Sequence, residues 1–233
     1  DVEITGRNEL KGKQFASEFK NMNFIKLDGA DWSDLLTFSK NCESFDYVVL
    51  NAGAMPESLE LNAQKIESQC ASQLIGHYLL IHFLKTQKKL NPGARIVWVS
   101  SGGLYLKKLD LDSLFNNINY EKVSTYANVK RAQVTLVEEL ANIENIEEFN
   151  HYSMHPGWVD TSGLSSSLPQ FFRLMKKYLR TPKQGSDTII WLLLTQSALT
   201  PGGFYFDRKK VLPYFWSFFN PTLSQRASLM ERV

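Results

Sequence analysis

Tyr126 and Lys130 stand four residues apart in Tyr126-Ala127-Asn128-Val129-Lys130, inside a helical pattern running from about Ser124 to Asn145. On a helix that spacing puts a phenol and an ammonium on one face. A cation beside a phenol favours the phenolate, which suits the phenol to passing a proton. Taken alone, such a pair reads as part of a solvated helix face. What precedes it changes that reading. The run Arg95-Ile96-Val97-Trp98-Val99 reads as a strand, and Ser100-Ser101-Gly102-Gly103 follows it directly. A hydroxyl therefore stands at a strand's carboxyl end, where open α/β sheets bind their ligands.

The elements that must position these groups alternate along the chain. Val2–Thr5 reads as a strand, and Asn8–Phe19 as a helix with Leu10, Phe15 and Phe19 at helical spacing. Phe24–Leu27 is a second strand, Ser33–Lys40 a short helix capped by Ser33, and Tyr47–Leu50 an apolar run of the kind buried in parallel sheets. A long helical pattern over about Asn62–Lys88 precedes the strand at Arg95, and a strand over Asn150–Met154 stops at Pro156-Gly157. This alternation predicts an α/β fold, a doubly wound parallel sheet with helices on both faces. With no repeat, low-complexity tract or long linker, 1–233 is expected to form one domain.

Four motifs stand in order: Asn51-Ala52-Gly53, Ser101, Tyr126-x-x-x-Lys130 and His155-Pro156-Gly157-Trp158-Val159-Asp160-Thr161. Through them the whole chain resembles the short-chain dehydrogenase/reductase family. Tyr126 follows Ser101 by 25 residues, a spacing similar to that of the retinol-dehydrogenase-like branch. The resemblance implies a Rossmann-like fold and a nicotinamide-dependent carbonyl or alcohol oxidoreductase. It makes Tyr126 the general acid in carbonyl reduction and Ser101, rather than Ser100, the hydroxyl that holds the carbonyl oxygen. Lys130 would hold the nicotinamide ribose and favour the phenolate of Tyr126.

The same resemblance implies cofactor contacts from Asn51, Ala52 and Gly53, where small side chains let backbone approach the cofactor, and from Pro156, Gly157 and Thr161 beside the nicotinamide. Arg7 stands where the family chooses its cofactor; an arginine there pairs with a 2′-phosphate, so NADP(H) is expected over NAD(H). Asp31 and Trp32 resemble the pair that meets adenine, with Asp28 as a competing acid. Gln73 stands where the family carries the asparagine of a proton relay. Glutamine keeps the amide and adds a methylene.

The family's glycine-rich phosphate loop has no counterpart in the 233 residues, and the chain opens at what matches the second strand. The expectation is a sheet lacking its first strand and helix, and an N-terminally incomplete chain with impaired cofactor binding. That absent strand is central in the family's order, so its two neighbours would each lose a partner. A competing reading is a catalytically silent member acting as an interaction protein.

Composition narrows the partners. A net charge of +2 gives no electrostatic case for nucleic acid. Cys42 and Cys70 have no metal spacing and form no disulfide framework, which points to a reducing compartment. The longest wholly apolar run, Ile189–Leu194, is far below the roughly 20 residues that span a bilayer. The cytoplasm or the cytoplasmic face of a membrane is the expected location. Leu168, Phe171, Phe172, Leu174, Met175 and Leu179 would make the segment Leu164–Arg180 a lid over a pocket for a hydrophobic substrate. The basic, amphipathic stretch Phe171–Arg180, with Tyr214-Phe215-Trp216 and Phe218-Phe219, suggests peripheral membrane contact alongside the enzyme reading. Association of copies into a homo-oligomer is a further expectation.

Overall fold

The computed structural model describes residues 1–116, 120–144 and 148–233. Parallel strands alternate with helices from the outset: β1 Val2–Gly6, α1 Glu9–Ala16, β2 Met22–Lys26, α2 Trp32–Asn41 and β3 Phe45–Leu50. Asp31 caps α2 by accepting from the Ser33 and Asp34 amides, so the expected cap moves two residues upstream. The Asp31 carboxylate satisfies two of the helix's unpaired donors at once.

The expected helix over 62–88 is not continuous. Residues 62–67 form turns and a bridge, helix begins at 68–69 and runs into a π-helical segment over Cys70–Gly76, and the α-helix α3 follows over His77–Thr86. Glu67 accounts for the late start, because its carboxylate accepts from the Gln69 and Cys70 amides as a helix cap would. β4 Leu90–Val99 follows, then a 3₁₀ turn Gly102–Leu106, α4 Leu111–Asn116 and α5 Lys122–Ile143. The expected end of α5 at Asn145 lies outside the described residues. The chain closes with β5 Phe149–Met154, α6 Ser162–Ser167, α7 Pro169–Met175, α8 Pro182–Leu194, β6 Phe204–Phe206, β7 Lys209–Lys210 and α9 Leu223–Arg232.

The strands form two sheets, β1-β2 and β3-β4-β5-β6-β7, parallel throughout except for the antiparallel β6–β7 pair. β1 and β3 do not pair, which is where the strand order anticipated from sequence leaves a place. Strand β4 is buried on both faces, as parallel strands are. Ile96 and Trp98 pack with Leu74, Ile75, Val129 and Leu136 on one face, and Val97 and Val99 with Met154, Leu192 and Tyr205 on the other. Helices therefore cover both faces of the larger sheet. Leu10, Phe15 and Phe19, which stand at helical spacing, are largely exposed.

Candidate active site

Register puts the chemistry together. Leu50 pairs with Trp98 and Val99 with Met154, so β3, β4 and β5 end side by side. Asn51, Ser100-Ser101 and His155-Pro156-Gly157 leave the sheet as neighbours. The Ser100 amide donates to the Met154 carbonyl at 2.7 Å and the His155 amide to the Tyr205 carbonyl at 3.1 Å, which extends the ladder past the last strand residues.

Helix α5 then fixes the loop after β4. Arg131 donates to the carbonyls of Leu104 and Lys107, and Asn128 brackets the backbone of Asp110 with both ends of its amide. Lys130 Nζ donates to the Val99 carbonyl at 3.0 Å, and Ser100 Oγ donates to the Lys130 carbonyl at 3.0 Å. Ser100 is thus committed to structure. Ser101 shares a hydrogen bond with the Tyr126 phenol and accepts the Gly103 amide at 3.2 Å. Lys130 Nζ lies 5.4 Å from the centre of the Tyr126 ring.

Burial governs the electrostatics here. It pushes the Tyr126 phenol above its ordinary value, against the lowering effect of the Ser101 hydrogen bond. The expected lowering by Lys130 is not the net result. That ammonium is tied to the Val99 carbonyl rather than to the phenol oxygen, and desolvation pushes it down to about 7. His155 is pushed down to about 4, first by burial and then by the Arg180 cation. Its neutral ring accepts the Gly157 amide at Nδ1 and stacks on Phe206 at 4.1 Å with the planes 5° apart.

A cavity of about 290 Å³ opens at these strand ends, lined by Ser101, Gly102, His155, Gly157, Trp158, Tyr178, Arg180 and Phe206. Of the residues expected from sequence, Ser101 and Gly157 are in that lining. Arg180 is a wall residue that sequence reasoning passed over. Its guanidinium holds Asp207 through both nitrogens at 2.5 and 2.8 Å and lies 4.7 Å above the Phe206 ring. Gly157 has φ +77°, and a Cβ there would stand 2.8 Å from Arg180 Nε, so glycine serves both the turn and the close approach. The signals available were Arg180 just ahead of the Thr181-Pro182 helix start and Asp207 after an aromatic strand, 27 residues apart in sequence.

On the other side, Asn51, Ala52 and Gly53 are exposed just beyond β3. A Cβ on Gly53 would stand 2.7 Å from Gln73 Oε1, so the glycine lets this backbone lie against the Gln73 amide. Gln73 Nε2 donates to the Ala54 carbonyl at 2.7 Å, while its buried Oε1 has no partner among the described residues. His77 hydrogen-bonds the Ala52 carbonyl and meets Gln133 Nε2 at Nδ1, and burial pushes it down to about 3. Gln133 also donates to the Gln73 carbonyl.

The remaining expected contacts lie outside the cavity lining. Arg7 is exposed just after β1, and no carboxylate pairs with it among the described residues. Asp31 is the α2 cap, and the Trp32 indole donates to the Ala71 carbonyl at 3.3 Å. Thr161 caps α6 through the Leu164 amide, and Pro156 offers its carbonyl to Arg180 at 3.5 Å.

No family model matches this chain. It is 35% identical over 203 residues to human dehydrogenase/reductase SDR family member 12, covering 83% of this chain and 63% of that relative. The bovine counterpart is 32% identical and covered to 59%, so the chain spans about 60% of the length of these relatives. Bovine retinol dehydrogenase 12 is 30% identical over 222 residues, covering 90% of this chain and 70% of that protein. Among solved structures, a short chain dehydrogenase/reductase family protein superposes with a TM-score of 0.69 at 18% identity, covering 88% of this chain and 83% of that one. BdcA in complex with NADPH gives 0.67 at 19%, covering 88% and 81%. The solved structures support the fold alone, but the sequence relatives match across most of this chain. The chain belongs to the short-chain dehydrogenase/reductase family.

Proposed function

We propose that these strand ends form the nicotinamide side of an oxidoreductase that interconverts a carbonyl and an alcohol on a small hydrophobic molecule, with NADP(H) as cofactor. The observation that carries this reading is the hydrogen-bonded Ser101–Tyr126 pair, with Lys130 beneath the phenol ring, next to an aromatic-walled cavity.

The residues fit a nicotinamide nucleoside. Gly53 leaves room for backbone approach and the buried Gln73 Oε1 lacks a partner beside it. Bound there, the cofactor supplies or accepts a hydride. In reduction Ser101 donates a hydrogen bond to the carbonyl oxygen, and Tyr126 passes its phenolic proton to that oxygen as charge develops on it. A phenol held above its ordinary value stays protonated at neutral pH, ready to donate. Lys130 binds the ribose hydroxyls, with an ammonium poised near neutrality by burial. Pro156, Gly157 and Thr161 would line the nicotinamide, and the backbone of Asn51 and Ala52 would lie close to the cofactor. Asp31 and Trp32 are assigned to the adenine end through the backbone of the α2 start, since both side chains are engaged. The exposed, unpaired Arg7 supports NADP(H), because a free guanidinium suits a 2′-phosphate.

The names of the retinol dehydrogenase relatives and the rings of Trp158, Tyr178 and Phe206 both support a hydrophobic substrate. The segment Leu164–Arg180 contributes Tyr178 and Arg180 to the wall and packs Phe171 on Trp158 at 4.4 Å, which supports its reading as a lid. A silent interaction protein is the second reading, favoured by Gln73 at the relay position. The two separate by following NADPH consumption with retinal or a long-chain aldehyde. Turnover dependent on Tyr126 supports the enzyme, whereas NADPH binding without turnover on any such carbonyl would favour the silent reading.

A further inference from the structure

Leu212, Phe215, Trp216 and Phe218 are 66, 70, 57 and 60% exposed, and they lie together. Phe215 meets Trp216 at 6.1 Å, Trp216 stacks with Phe218 at 5.9 Å, and Phe219 packs on Phe218 at 4.9 Å. The patch is anchored from the site side. Tyr105 stacks on Phe215 at 4.2 Å, donates its hydroxyl to the Leu212 carbonyl at 2.7 Å and meets His155 edge-on at 6.2 Å. Leu106, 77% exposed, follows it in the chain. A contiguous group of large exposed apolar side chains marks a contact surface rather than ordinary surface scatter.

The charges around it select the occupant. Lys108 Nζ lies 4.6 Å over the Phe218 ring, and Lys209 and Lys210 are exposed at the start of the segment. From Arg208 to Met230 the sequence has no aspartate or glutamate. Arg208 and Arg226 are already paired, with Asp187 and with Glu138 and Glu139, which leaves Lys209 and Lys210 as the cations of the segment outside close ion pairs among the described residues. A two-fold contact between copies would set this basic rim against itself. An anionic bilayer supplies the opposite charge to the lysines and an interfacial layer for Trp and Phe rings. The stretch Phe171–Arg180 is a weaker candidate, since Phe171 is folded onto Trp158 and Arg180 onto Asp207.

We infer that the patch of Leu212, Phe215, Trp216 and Phe218, rimmed by Lys108, Lys209 and Lys210, docks the protein on an anionic lipid bilayer. Docking there sets the cavity, one ring away through Tyr105 and His155, beside the membrane surface. The binding itself does not depend on the oxidoreductase reading and is measured without catalysis.

The test is co-sedimentation of the purified protein with phosphatidylcholine vesicles, with and without phosphatidylserine. Binding is expected with phosphatidylserine, to weaken with added salt, and to fall about tenfold or more, equivalent to about 1.4 kcal/mol, in Trp216→Ala/Phe218→Ala. Lys108→Glu should weaken it while leaving the rings in place. Brominated lipid chains should quench tryptophan emission in the parent and clearly less in Trp216→Phe, a variant that keeps an aromatic ring and tests the site even if the double variant fails to fold. No sedimentation with phosphatidylserine vesicles, or quenching unchanged by Trp216→Phe, would overturn the proposal. A dimer in sedimentation velocity that Trp216→Ala dissolves, without vesicle binding, would assign the patch to a second copy instead.

Discussion

Arg180 grips Asp207 with both terminal guanidinium nitrogens while its Nε edge fills the space that a side chain at Gly157 would occupy. One residue thereby joins the segment ahead of α8, the turn after β5 and the loop after β6. Asp207 and Arg208 both adopt left-handed backbone, with φ of 47° and 59°, and both carboxylate–guanidinium pairs of this corner leave from them. Asp207→Ala is expected to cost little stability, below about 1 kcal/mol, because the pair is partly solvated. It should raise KM several-fold as the cavity wall loosens, with a smaller change in kcat. Steady-state kinetics beside thermal unfolding check this, and a loss confined to stability would remove Arg180 from the site.

Tyr126→Phe removes the phenolic proton and little else. Reduction should fall by about 10²-fold or more, the scale of general acid catalysis, with cofactor affinity nearly unchanged. Rates near the parent's would end the assignment. Ser101→Ala should also lower kcat, whereas Ser100→Ala should act on stability through the lost bond to the Lys130 carbonyl.

Arg7→Asp should weaken NADPH binding far more than NADH binding, since a guanidinium suited to the 2′-phosphate becomes a like charge. Parallel titrations of the two cofactors decide it. Equal losses would make Arg7 a surface residue.

Lys130 makes stability depend on alkaline pH. Burial lowers it from 10.5 to about 7, so between those values the unfolded chain holds a proton that the folded protein has released. Stability therefore rises with pH across that window, by at most about 1.4 kcal/mol per unit. Lys130→Met should flatten this slope in urea unfolding. On the acid side, His155 and His77, lowered to about 4 and about 3, protonate first in the unfolded chain. Their contribution is lost as pH falls below about 6.5.

Local periodicity made much of the site legible. Tyr126 and Lys130 share a helix face because 3.6 residues make a turn, and Ser101 follows a strand whose run of apolar residues marks it as central. The missed features depend on contacts distant in sequence. Ser33 reads as a cap but Asp31 takes its amide, and 62–67 reads as helix but the Glu67 carboxylate caps a later start. Arg180 reaches the cavity only because a bridge pairs it with Val159 and because Asp207 lies across from it. The direction of the Tyr126 shift is not legible for a related reason: spacing reports proximity to Lys130, but not that its ammonium is turned to the Val99 carbonyl.

The break in the sheet between β1 and β3 bears on how the protein opens. Among the described residues, none of residues 1–27 belongs to the buried apolar clusters. The smaller unit is held through the segment after β2, where the Trp32 indole meets the Ala71 carbonyl and the Gly29 carbonyl lies against Gly76 so closely that a Cβ there would be 2.0 Å away. With none of residues 1–27 in the shared apolar clusters, this seam gives little cooperativity across it. In native-state hydrogen exchange the β1 and β2 amides should then exchange as one group, well before those of β4 and β5, and Gly76→Ala should speed the first group while leaving the second near the parent's rate.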